Sequence, residues 1–150
     1  MLTVVAALVL AAIVAGGLLA RGGDDPYAAY CDAVEDHQQA IGLALGDGAE
    51  TTGFLRALPD LRAVAAEAPS DIHDEWQVVI DRIAALEDAL DDAGVDPASY
   101  DPASPSKDLS EEQRVTIERT ADRLLAPETF AAFAGVDQQV RDVCQTRLSL

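Results

Sequence analysis

Between Ser70 and Gly94, apolar residues fall at Ile72, Trp76, Val79, Ile83, Leu86, Leu90 and Ala93, in alternating steps of four and three. That spacing keeps all of them on one face of a helix. Asp74, Asp81, Asp88, Asp91 and Asp92 all stay off that face. The pattern predicts a helix capped by Ser70 or Asp71, ended by Gly94, with a core-facing stripe that includes the lone tryptophan, Trp76.

Weaker versions of this pattern recur on either side. Asp24-Asp25-Pro26 reads as a cap followed by a first-turn proline. A helix is expected from Pro26 to Leu45, with Tyr27, Cys31, Val34, Gln38, Ile41 and Leu45 inward and Gly46-Asp47-Gly48 ending it. A second helical stretch runs from Thr52 to Ala68, with Phe54, Leu55, Leu58, Leu61 and Ala65 on one side. Pro59 lies inside it and predicts a kink or a fresh start. Residues 95–109 hold Pro97, Pro102 and Pro105 without periodicity. This connector is long for a compact domain and reads as an ordered wrap or a mobile loop. Ser110-Glu111-Glu112-Gln113 predicts a capping box for a helix carrying Ile117, Ala121, Leu124 and Leu125. After Pro127 a last helix should run from Glu128 to Thr146, with Phe130, Phe133, Val136, Val140 and Cys144 inward. No strand-like alternation and no internal repeat occurs. The expected class is all-α: a bundle of four or five helices over residues 22–150.

Leu2 to Ala20 breaks the amphipathic pattern, because it is apolar throughout and uncharged. At roughly 1.5 Å per residue, a helix of that length spans about the 30 Å hydrocarbon layer. Residues 1–21 are therefore expected to form a transmembrane or signal-anchor helix. Signal-peptide apolar cores are shorter, about 7–15 residues. A cut near Ala15-Gly16-Gly17 or after Ala20 would instead release a secreted protein. Lipid attachment at Cys31 is the least favoured option, because Tyr30 directly precedes it. Arg21 follows the apolar run and no basic residue precedes it, so the positive-inside rule taken literally places the domain in the cytoplasm. A start further upstream with a basic stretch would remove that conflict.

Cys31 and Cys144 bear on the same question. They sit at opposite ends of the helical region, where they can staple the first helix to the last. Disulfides belong to oxidising compartments. The pair thus favours a single-pass membrane protein with its domain outside the cytoplasm. The hydrophobic fraction is 49% with only 5% aromatic, so the core must be mostly Ala, Leu, Val and Ile. Lys107 is the single lysine and asparagine is absent, a bias that fits a GC-rich genome. The formal net charge is −17. A field of that sign repels phosphate, which argues against nucleic acid as a partner and leaves membrane contact to the N-terminal segment.

Candidate chemistry is sparse. His37 and His73 are the only histidines, without HxxxH or HExxH spacing, and read as surface residues. Glu87, Asp88, Asp91 and Asp92 lack the loop pattern of a specific calcium site and read as a solvated face. Ser104-Pro105-Ser106-Lys107 matches Ser-x-x-Lys only formally, in a proline-rich loop without the companion motifs. Arg114, Arg119 and Arg123 alternate with Glu118 and Asp122 as surface ion pairs do. No catalytic, cofactor or metal residue is assigned. The only site residues are the expected disulfide partners, Cys31 and Cys144.

The stretches YCDAVEDHQ, APSDIHDEWQ, AGVDPASYDP, LSEEQR and RDVCQTRLSL, behind an apolar N-terminus, resemble small uncharacterised exported or membrane-anchored helical proteins of actinobacteria. The resemblance covers most of the region after the apolar run. It implies the location and the helical fold and carries no activity. The expected function is a non-enzymatic extracytoplasmic domain acting through contacts with another envelope protein. The alternatives are a carrier of small apolar ligands and a small all-α secreted enzyme of chorismate-mutase-like type. A large dry cavity would favour the carrier, and converging arginines the enzyme. A solid core with exposed apolar residues would favour the contact module.

Overall fold

The computed structural model describes residues 25–46 and 50–150. Among them lie five α-helices: α1 (Ala28–Gly46), α2 (Glu50–Ala66), α3 (His73–Asp92), α4 (Glu111–Leu124) and α5 (Pro127–Cys144). A 3₁₀ turn occupies Pro97–Ser99. The fold is thus all-α, and Cys31 and Cys144 are joined. The expected anchor at 1–21 lies outside the described residues. No helix among the described residues is long and apolar enough to cross a membrane.

α3 is the spine of the bundle and packs against α2, α4 and α5. Its stripe faces inward as expected: Trp76, Val79, Ile83, Leu86 and Leu90 are buried, Ile72 is buried at its start, and Ala93 packs on the core from the edge. Its N-cap is Ile72, with no side-chain cap, rather than Ser70 or Asp71. Burial of Ile72 sets the start of the helix, and Asp71 turns away to accept a hydrogen bond from Gln139 Nε2 of α5 (3.1 Å). At the other end Gly94 takes φ +71°. The Val95 N–H then bonds the Leu90 carbonyl and the Gly94 N–H the Asp91 carbonyl, both at 2.9 Å. This left-handed closure satisfies two carbonyls that the helix end would leave open.

α1 and α2 pair antiparallel, since His37 meets Asp60 while Ala44 meets Arg56. On α1 the buried residues are Tyr30, Val34 and Ile41. Tyr27, Cys31, Gln38 and Leu45 are only half-buried, so the inner face is rotated from the expected one. α2 continues through Pro59 as one helix, without a fresh start there. Leu58, Leu61 and Val64 around it are all fully buried. Burying three such side chains contributes about 1.5–3 kcal/mol each, which outweighs the roughly 3 kcal/mol cost of an interior proline.

The connector 95–109 is ordered over its first half. Asp96 caps the 3₁₀ turn, and Thr52 Oγ1 donates to the Tyr100 carbonyl (3.0 Å). Val95, Tyr100 and Leu109 pack on the core, while residues 101–108 are exposed. The capping box is present: Ser110 Oγ accepts from the Gln113 N–H (3.2 Å) and Gln113 Oε1 from the Ser110 N–H (2.9 Å). α5 corrects one expectation. Thr129 and Ala132 are buried at its start, whereas Phe130 is 42% exposed. Thr129 Oγ1 donates to the Arg123 carbonyl at the end of α4 (2.9 Å), which fixes the rotation of the first turn of α5 and turns Phe130 outward.

Candidate functional site

The disulfide closes the seam between α1 and α5. Cys31 lies in the first turn of α1 and Cys144 is the last residue of α5, with 5.2 Å between their Cα atoms. Tyr30, beside Cys31, points into the core. Its hydroxyl accepts a hydrogen bond from Trp76 Nε1 (3.1 Å), so the two largest buried side chains satisfy each other. Burial raises the Tyr30 phenol above its ordinary 10.0; the Trp76 bond opposes that shift and the negative charge of Asp71 adds to it. Sequence reasoning missed this pair. The spacing of Tyr30, Val34, His37 and Ile41 carries the signal, because it forms a stripe of its own.

The two histidines do not converge. His37 is half-buried on α1, and its Nδ1 lies 2.7 Å from Asp60 Oδ1 of α2. Its partner is therefore a residue across the helix pair and not the adjacent Asp36. His73 opens α3 and is exposed. Glu87 of the acidic face accepts from Arg62 Nη2 of α2 (3.1 Å). Arg114 pairs with Glu111 and with Glu118 (3.3 Å), as surface pairs one helical turn apart do. Among the described residues no group of His, Cys, Asp and Glu side chains is placed to hold a metal ion. Ser104 and Lys107 sit in the exposed part of the connector.

Three of the surface clefts show what the helix faces can offer a ligand. One between α2 and α3, of about 250 Å³, has Trp76 and Ile80 at its floor and Arg62, His73, Gln77 and Asp81 at its rim. Arg62 is already engaged with Glu87. A wider groove of about 480 Å³ beside the 3₁₀ turn pairs Arg56 with Glu87, Asp91 and Asp96. A third, of about 470 Å³ along α3, pairs Arg82 with Asp74 and Asp81. Each of these three clefts sets a single arginine beside at least one carboxylate, so none of them offers the converging arginines that a dianionic substrate needs. Beneath them lies one apolar cluster with side chains from all five helices, and with Leu148 added from beyond α5. Exposed apolar side chains include Phe130, which leans on Phe54 with ring centroids 6.4 Å apart, and Leu43 at the end of α1.

The chain matches no protein-family model, and no curated protein or solved structure matches it either.

Proposed function

We propose that this chain is an extracytoplasmic, non-enzymatic helical domain, tethered to the cell membrane through Leu2–Ala20 and acting by contact with another envelope protein. The observation that carries the reading is the Cys31–Cys144 bond across the two ends of the domain, because such bonds persist in oxidising compartments. The clefts, in which each arginine stands beside a carboxylate, favour a contact role over an enzyme that takes a dianionic substrate. Phe130 is the place to look for the partner: it is a large, half-exposed aromatic on a rigid helix, and aromatic residues anchor protein interfaces.

The test has two parts. Alkaline phosphatase fused after Leu150 should be active in whole cells, while a reporter that works only in the cytoplasm should stay silent. The opposite result overturns the location. A photo-crosslinking residue at Phe130 should then capture one discrete envelope protein, and a crosslinker at exposed Asp122 should not. Equal capture at both positions overturns the contact role.

A further inference from the structure

The strongest unexplained feature is the way the chain continues past α5. Gln145 takes a left-handed conformation (φ 58°) and turns the following residues back along α1. Three hydrogen bonds seat them. Thr146 Oγ1 donates to Gln38 Oε1 (3.0 Å), the Leu148 N–H to Asp137 Oδ1 of α5 (3.2 Å), and the Leu150 N–H to the Gln38 carbonyl of α1 (3.3 Å). Leu148 is 1% exposed and belongs to the core cluster, while Leu150 is 70% exposed.

One residue of α1 is shaped for this segment. Gly42 lies inside the helix, where glycine costs about 0.5–1 kcal/mol relative to alanine. A Cβ there would collide with the backbone carbonyl of Leu150. The glycine is accounted for only when the segment is seated. The groove therefore has a recognition chemistry: a buried slot for one leucine, acceptors at Asp137 and Gln38 for two backbone N–H groups, and a side-chain acceptor for a hydroxyl.

The segment is also separable from the helix that carries it. Cys144 is pinned to Cys31, so α5 stays docked when the residues beyond Gln145 leave. Rotation at one left-handed residue releases them. We infer that the α1–α5 groove is a peptide-recognition site, held in cis by Thr146–Leu150, and that the partner it fits in trans is the same segment of a second copy. An identical chain presents the same leucine, hydroxyl and N–H groups in the same order, so exchange replaces each contact by its equivalent. This does not depend on where the protein resides.

Two full-length variants test the exchange. Leu148→Asp keeps the groove and disables the segment, while Gly42→Leu keeps the segment and blocks the groove. Labelled with a donor and an acceptor fluorophore and mixed, they should give energy transfer at least about tenfold above either variant mixed with itself. A synthetic Thr146–Leu150 peptide should compete the signal away. No transfer from two variants that keep wild-type helicity overturns the inference. Unaltered chains, labelled separately and mixed, decide the matter if a variant does not fold. Energy transfer between them that the Thr146–Leu150 peptide abolishes supports the exchange, and its absence overturns the inference.

Discussion

Tyr30→Phe removes a single oxygen from the core. Tyr30 and Trp76 are each 1% exposed, and their bond is 3.1 Å long. Phenylalanine fills almost the same volume, so little packing is lost. What remains is an indole N–H buried without an acceptor, which costs about 1–3 kcal/mol. Trp76 is the only tryptophan, so its fluorescence reports unfolding from the mutated site itself. In denaturant melts the midpoint should fall while the slope stays constant, because the surface exposed on unfolding is unchanged. An unaltered midpoint would refute the buried bond.

The same substitution carries a pH signature. Burial raises the folded-state Tyr30 phenol above 10.0. Above that pH the unfolded chain gives up its proton while the folded chain retains it, so the unfolded state binds fewer protons and stability falls as pH rises. The contribution is fully present below pH 10 and is lost as pH climbs through the raised folded value. Tyr30→Phe removes this loss, so the wild-type advantage should shrink above pH 10. Tyr100 is raised as well, by burial first and then by Glu118 and Asp101, and keeps part of the alkaline slope in the mutant. A wild-type advantage that stays constant from about pH 8 to about pH 11 would refute the assignment.

Two further outcomes are expected. Reduction of Cys31–Cys144 should lower stability by about 2–5 kcal/mol and leave the helical circular-dichroism signal largely intact; two alkylated cysteines in the native protein by mass spectrometry would rule the bond out. Ile83→Ala should cost about 2–5 kcal/mol and Asp81→Ala less than about 0.5 kcal/mol, and denaturant midpoints in the reverse order would place the α3 stripe in solvent.

The parts of the fold that were legible in the sequence are those fixed by local periodicity. α3 was readable because its stripe is unbroken and its acids avoid it. The capping box was readable because both partners lie within four residues. On α1 two stripes compete. Val34 and Ile41 belong both to the set containing Tyr27 and Cys31 and to the set containing Tyr30 and His37. What selects the second is Trp76, 46 positions away, whose N–H needs the phenol. The outward turn of Phe130 has a similar origin, in a hydroxyl bond back to α4. Proline chemistry alone marks Pro59 as a break, and only the burial around it explains why the helix continues. The disulfide was readable from the placement of two cysteines, because the first and last helices of a small bundle are natural neighbours. The segment past Cys144 has no periodicity, and its seat is defined by residues on two other elements. Its one local trace is Gly42, an isolated glycine in a helical pattern, which marks close backbone approach.

These features concentrate at one seam. α1 meets α2 broadly and meets α5 much less. The α1–α5 seam is held by specific links: the disulfide at one end, then Thr146 and Leu150 on Gln38, with Leu148 inserted between. Apolar burial along α3 gives the bundle its cooperativity, whereas this seam depends on a covalent bond and a few hydrogen bonds. Reduction should therefore act unevenly. The amides of Leu148 and Leu150 should lose protection first, the adjoining turns of α1 and α5 next, and α3 last, because α3 packs broadly against α2, α4 and α5. Uniform loss across all helices would mean that the disulfide supports the core as a whole and not the seam it spans.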